Sequence, residues 1–227
     1  MSVILHIETA TKNCSVAIGK SGKLLALKEH SSEHFSHSEQ LHDFIQEVMK
    51  QAHVEMSALD AVAVSKGPGS YTGLRIGVAA AKGICFALDL PLIAVNSLQI
   101  LSEKYTEREP TFLFPMFDAR RMEVYVIVLN EKKEVVKPTF DEIISTESFK
   151  EFSKDIPWVF MGEGAEKCQS IFNASHIKYR TDIRYPSAAE MVPLAYANFQ
   201  AKQFKDLAYF EPFYLKDFYT TAKKTEP

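Results

Sequence analysis

The chain has 227 residues, 46% of them hydrophobic and 24% charged, with a formal net charge of −3 and a pI near 6.2. That composition excludes a disordered or fibrous chain, and the length allows one large domain or two small ones. The charge excludes a strong basic footprint over the whole molecule and leaves room only for a local patch that meets nucleic acid. The apolar stretch from Ile76 to Leu88 is too short to cross a membrane and carries Lys82, so no transmembrane helix is expected. No signal peptide is expected either, because Met1 to Ile7 has no basic start and Glu8 follows at once. Cys14, Cys85 and Cys168 lie far apart among apolar neighbours and form no Cys-x-x-Cys pair. They read as buried thiols in a reducing compartment.

In chain order, Val3 to Ile7, Cys14 to Ile18 and Lys23 to Glu29 read as three strands, with Ser21-Gly22 as a turn. The period then changes. Leu41, Phe44, Ile45, Val48, Met49 and Ala52 fall on one helical face, with Ser36 or Ser38 as the expected cap. A strand from Ala61 to Val64, a glycine-rich turn, a helix to about Leu88 and a strand from Leu92 to Val95 make a βαβ unit, which favours parallel pairing. The charged segment Leu101 to Pro110 reads as a helix end and linker. A second strand set follows at Thr111 to Phe117, Val124 to Leu129 and Val135 to Phe140, with short strands at Trp158 to Met161 and Ile177 to Tyr179. Phe149 to Phe152, Ala165 to Phe172 and Ala188 to Phe204 read as helices, and the residues from Thr220 as a frayed end.

The strongest local signal is Gly67-Pro68-Gly69-Ser70-Tyr71-Thr72-Gly73. Three glycines and a proline ahead of a helix bring backbone amides close to whatever sits there, and a helix N-terminus favours an anion. The spacing fits neither Gly-x-Gly-x-x-Gly nor the P-loop, so a tight structural or partner-facing turn competes with phosphate binding. The helix that follows is apolar nearly all round, with Arg75 and Lys82 as its charges on roughly one face. Such a helix is buried by its own fold or by another chain. His30-Ser31-Ser32-Glu33-His34 matches the inverted zinc-protease pattern but sits at a strand-to-helix junction, so a solvated loop is expected and no metal site. Asp118-Ala119-Arg120-Arg121-x-Glu123-Val124-Tyr125 puts charge between two strands, a hairpin with surface ion pairs. Phosphate or acid–base chemistry there needs a converging partner that the sequence does not place.

Several of these segments together resemble the TsaB family of bacterial tRNA threonylcarbamoyladenosine biosynthesis proteins. The opening Ile4-Leu5-His6-Ile7-Glu8-Thr9-Ala10-Thr11 with Cys14-Ser15-Val16-Ala17 is similar to the family's start. Gly67 to Gly77 resembles its signature loop and helix, and His37-Ser38-Glu39-x-Leu41 the beginning of its first helix. Asp118 to Tyr125 resembles its second hairpin and Pro212-x-Tyr214-Leu215 its C-terminal motif. Two positions depart: Glu8 stands where the family usually has Asp, and Lys216 where it often has Arg.

The resemblance implies an actin/Hsp70/sugar-kinase-like (ribonuclease-H-like) α/β architecture of two related lobes, mixed sheets flanked by helices. The lobes are expected at residues 1–105 and 106–227, the last segment packing back on the first. It implies a cytoplasmic, non-catalytic subunit, with no catalytic residues and no cofactor of its own. ATP or ADP is left only to an interface in the assembled complex. The implied partners are a TsaD-like catalytic subunit, a TsaE-like ATPase, a second copy of the chain when alone, and tRNA through the complex, with no membrane. TsaD holds its metal through two histidines on a helix. The comparable helix here presents Leu41, Ile45 and Val48 instead. The expected partner interface is Leu41, Ile45, Val48, Leu74, Arg75, Val78, Ala81 and Lys82, two helices pairing with two of another chain. The other reading is an autonomous ATP-dependent transferase or kinase of the same superfamily, with Glu8-Thr9-Ala10-Thr11 as its first phosphate loop. A metallopeptidase using His30 and His34 is a third.

Overall fold

The computed structural model describes residues 2–31 and 37–216. Two five-stranded sheets share one plan. In the first, β1 (Val3–Glu8), β2 (Asn13–Lys20) and β3 (Lys23–Ser31) form an antiparallel meander. β4 (Ala61–Ser65) and β5 (Leu92–Val95) then add in parallel on the other side of β1, giving the order β3-β2-β1-β4-β5. In the second, β6 (Phe112–Asp118), β7 (Glu123–Leu129) and β8 (Val135–Ile143) repeat the meander. β9 (Trp158–Met161) and β10 (Ile177–Arg180) repeat the parallel pair. The expected two-lobed architecture of mixed sheets flanked by helices is present.

Strand β1 explains the layering. Its side chains alternate between faces. Leu5 and Ile7 enter one core with Val16, Ile18, Val62 and Val64. That core is closed by α1 (His37–Ala52) through Leu41, Ile45 and Val48, and by α2 (Tyr71–Leu88) through Val78, Ala81 and Cys85. Ile4 points to the other face, where Met191 and Ala195 of α5 (Ala188–Gln200) meet Ile93 and Val95. The chain therefore leaves the first sheet after β5 and returns to it at residue 188. The second sheet packs a core of aromatic rings. Phe114 lies 5.0–5.5 Å, centroid to centroid, from Phe149, Phe152, Trp158 and Phe160.

Several local expectations are corrected. Phe149 to Phe152 is a turn rather than a helix, with Phe149 at φ 65° and buried in the aromatic core, so tertiary packing overrides the helical pattern. Ala165 to Phe172 is helical only as α4 (Ala165–Cys168). The helix end expected from Leu101 is present and closes α3 (Ser97–Ser102), whose start the sequence reading does not place. Its cap is Asn96, whose Oδ1 accepts from the Leu98 and Gln99 amides. Ser38 lies inside α1 and does not cap it, and Ser36 is outside the described residues. Helix α2 reaches 18 residues with a mean hydropathy of 1.2, long and apolar enough by composition to cross a membrane. Here it packs its small and apolar side against β4, β1 and β5. Cys14, Cys85 and Cys168 are buried free thiols, each pushed up in pKa by burial.

Candidate functional site

The glycine-rich loop buries Gly67, Pro68 and Gly73 and exposes Thr72. It closes on the chain's own β1–β2 loop. The Ser70 amide donates to Ala10 O at 2.7 Å, and Ser70 Oγ accepts from Gly73 N at 3.2 Å, capping α2. A Cβ at Gly69 would lie well under 3.0 Å from Ala10 O, one at Gly73 equally close to Thr9 O, and one at Gly77 to Thr9 Oγ1. Glycine at every fourth position thus leaves a groove on α2 in which Thr9 and Ala10 lie. His37, at the first residue of α1, bonds the same loop through Nε2 to Thr11 O at 2.7 Å. The first turn of α2 therefore faces backbone carbonyls of Thr9 and Ala10, neutral acceptors that take the place an anion would occupy.

At the end of β1 the Glu8 carboxyl is fully buried. Its Oε1 accepts from the Ala10 amide at 2.6 Å, and burial raises its pKa to about 7. His6, two residues earlier, is also buried, with Nδ1 3.4 Å from Ala17 O, and burial lowers its pKa to about 4. In both groups burial disfavours the charged form. Among the described residues no three His, Cys, Asp or Glu side chains converge as a metal site. His30, near the end of β3, lines a polar cleft of about 360 Å³ with Glu29, Lys104, Asp182 and Arg184. His34 is outside the described residues. The cleft mixes both signs of charge.

The expected interface residues are placed differently from the sequence reading. Leu41, Ile45, Val48, Leu74, Val78 and Ala81 are buried inside this chain, so they are corrected to core. Their apolar faces are covered by the first sheet. Arg75 and Lys82 hold the chain's own C-terminal strap. The Arg75 guanidinium stacks 4.2 Å from the Tyr71 ring centre, and its Nε donates to Tyr214 Oη at 3.4 Å. Lys82 Nζ donates to Ala208 O at 3.3 Å and Phe210 O at 3.1 Å. The strap is fixed further by the Phe213 amide donating to Lys66 O at 2.6 Å. What α2 turns outward is a different row: Thr72, Ala79, Gly83 and Phe86. Phe86 is 83% exposed, nothing stands within 4 Å of a Cβ at Gly83, and Tyr209 of the strap is 86% exposed beyond it. The signal that separates the two rows is Phe86, a large apolar residue on the side opposite Leu74 and Ala81.

The chain is similar over most of its length to known proteins. The family model of TsaD, tRNA N6-adenosine threonylcarbamoyltransferase, matches residues 31–224. The tRNA threonylcarbamoyladenosine biosynthesis protein TsaB of Escherichia coli is 28% identical over 226 residues, covering 94% of each chain. The protein of the same description from Bacillus subtilis is 32% identical over 169 residues, 70% of each. The solved structure of YeaZ from Pseudomonas aeruginosa superposes with a TM-score of 0.81 at 26% identity, covering 95% of this chain and all of that one. With the two-lobed fold, the signature loop and these full-length likenesses together, the chain belongs to the TsaB family.

Proposed function

We propose that this chain is a non-catalytic scaffold subunit in tRNA threonylcarbamoyladenosine biosynthesis. It serves threonylcarbamoylation of the adenosine 3′ of the anticodon in tRNAs reading codons that begin with adenine. It works in the cytoplasm by binding a TsaD-like transferase and a TsaE-like ATPase, and it pairs with itself when alone. The likeness to TsaB relatives over the whole chain supports the pathway. The observation that carries the non-catalytic role is the closed glycine loop: Gly69, Gly73 and Gly77 seat Thr9 and Ala10 in the space beside the α2 N-terminus. A nucleotide then belongs to an interface of the assembled complex.

The partner surface that fits this reading is the outward row of α2. Ala79 and Gly83 are small enough for another helix to approach closely, and Phe86 offers a large apolar anchor. Purified TsaD-like and TsaE-like proteins, tRNA transcript and threonylcarbamoyl-adenylate are incubated with and without this chain, and the modified nucleoside is quantified. The reading requires strong dependence on the chain and no turnover by the chain alone. Modification that proceeds equally without it refutes the role.

A further inference from the structure

The β6–β7 hairpin ends in a conformation its residues do not favour. Arg120 and Arg121 have φ of 69° and 48°, two consecutive non-glycine residues in the left-handed region. Such residues cost free energy and persist where the surroundings impose them. The surroundings here are explicit. The Arg120 amide donates to Asp118 Oδ1 at 2.5 Å, and Lys167 Nζ donates to the same oxygen at 2.6 Å. The Ala119 amide donates to Glu123 O and the Glu123 amide to Arg120 O, both at 3.1 Å. Asn and Gly, which take this conformation at least cost, are absent, and two arginines stand in their place.

Four nearby acids already have cationic partners. Asp118 pairs with Lys167, Glu123 and Asp141 pair with Lys216, and Glu166 pairs with Arg184. Arg120 and Arg121 are exposed, and neither guanidinium has an acidic partner among the described residues. Beside them Met122 is 41% and Ile143 70% exposed. These two are fixed to each other's strands, because the Ile144 amide donates to Met122 O at 2.7 Å. Two unpaired guanidinium forks on a pinned tip match phosphate oxygens, which they bind in bidentate fashion. An apolar flank suits a ribose or an unstacked base. The rest of the chain is net acidic, so this tip stands out as a local attractor for a polyanion.

We propose that the Arg120–Arg121 tip contacts RNA, taking two backbone phosphates of the tRNA and orienting it on the assembled complex. The proposal rests on the reading of this chain as a tRNA-modification subunit. Phosphate contacts position a nucleic acid without reading its sequence, so the contribution is uniform across tRNAs.

The test uses the full-length chain assembled with its TsaD-like partner and an unmodified tRNA transcript, with affinity measured at several salt concentrations. The variant Arg120→Asn/Arg121→Gly relaxes the turn while removing both charges. It keeps or raises the thermal midpoint and leaves assembly with the partner intact. Its tRNA affinity falls about tenfold, and the slope of log K against log salt falls by about 1.5, the share of two phosphates. Arg120→Lys/Arg121→Lys retains most of that slope. Unchanged affinity and slope in the first variant overturn the proposal. Loss of assembly with the partner also overturns it, making the tip a protein contact. Failure of the underlying reading looks different: the unsubstituted chain then neither joins the partner nor promotes tRNA modification, and the proposal falls with it.

Discussion

Three glycine-to-alanine substitutions on α2 should have different signs, and the structure orders them. In an open helix interior, Gly→Ala stabilises by up to about 1 kcal/mol, because alanine has less backbone freedom to lose. Gly83 is that case, with nothing within 4 Å of its Cβ. At Gly77 the new methyl meets Thr9 Oγ1, a side-chain atom, and at Gly73 it meets Thr9 O, a backbone atom that cannot rotate away. Forcing extra volume into a packed site costs about 1–3 kcal/mol. Gly83→Ala should therefore raise stability by up to about 1 kcal/mol. Gly77→Ala should lower it by about 1 kcal/mol after its own propensity gain, and Gly73→Ala by about 2 kcal/mol or more. For a chain of this size each kcal/mol moves the midpoint by about 2–4 °C. Thermal and urea melts followed by circular dichroism read these shifts. Thr9→Ala removes the atom that Gly77→Ala strikes, so the double variant should recover most of the loss, a coupling that a double-mutant cycle isolates. If Gly77→Ala is as stable as Gly83→Ala, or if Thr9→Ala restores nothing, the β1–β2 loop is not seated on this row and the reasoning fails.

Glu8→Gln should change the pH profile of stability. Burial pushes the carboxyl up from its ordinary 4.5 to about 7 in the folded chain, so its contribution is full below about 4.5 and is lost as the pH rises through 7. The variant should gain on the parent between those limits by up to about 3 kcal/mol, which pH-dependent urea melts would show. His6 acts in the opposite direction. Its pKa falls from 6.5 to about 4, so its contribution is present above 6.5 and lost as the pH drops to about 4. The two partly cancel in the parent, and Glu8→Gln should expose the His6 slope. Lys82→Met removes both bonds to the strap, and hydrogen exchange at Ala208 to Phe213 should accelerate while the sheet cores stay protected. Phe86→Glu should leave the fold intact, since the ring is exposed, and should weaken capture of the TsaD-like partner at least tenfold in a pull-down titration.

Most strands were legible because their signals are local. The alternation in Cys14 to Ile18, the apolar run Ala61 to Val64 and the Ser21-Gly22 turn each fall within a few residues. The losses came where distant packing decides. Phe149 and Phe152 have helical spacing, yet the turn that holds them exists because both rings enter the cluster around Phe114. The start of α3 was present in Asn96-Ser97, an amide side chain ahead of a short apolar run. A charged stretch after Leu101 drew attention from it. The strap left a weaker mark, since Pro212-x-Tyr214-Leu215 names a motif without saying that the Tyr214 ring lies against Tyr71, residues 143 positions apart in sequence.

The site residues show why one sequence pattern supported two placements. Helix α2 carries small residues on two opposite sides. Gly73 and Gly77 face inward, where a backbone loop needs their missing Cβ atoms. Ala79 and Gly83 face outward, where nothing in this chain needs them to be small. In sequence the two sets interleave and are indistinguishable, so the pattern alone does not say which surface the apolar residues between them face. Burial separates them. The inward set is explained by Thr9, whose backbone oxygen meets Gly73 and whose hydroxyl meets Gly77. The outward set has no internal explanation, since a larger residue at Gly83 would meet only solvent and would favour the helix. A glycine that weakens a helix without serving its own fold points to a demand from outside the chain. Phe86, exposed one turn away, gives that demand an apolar character. The same helix therefore closes the first loop with one face and leaves Gly83 and Phe86 open on the other, the face that the proposed function gives to a partner.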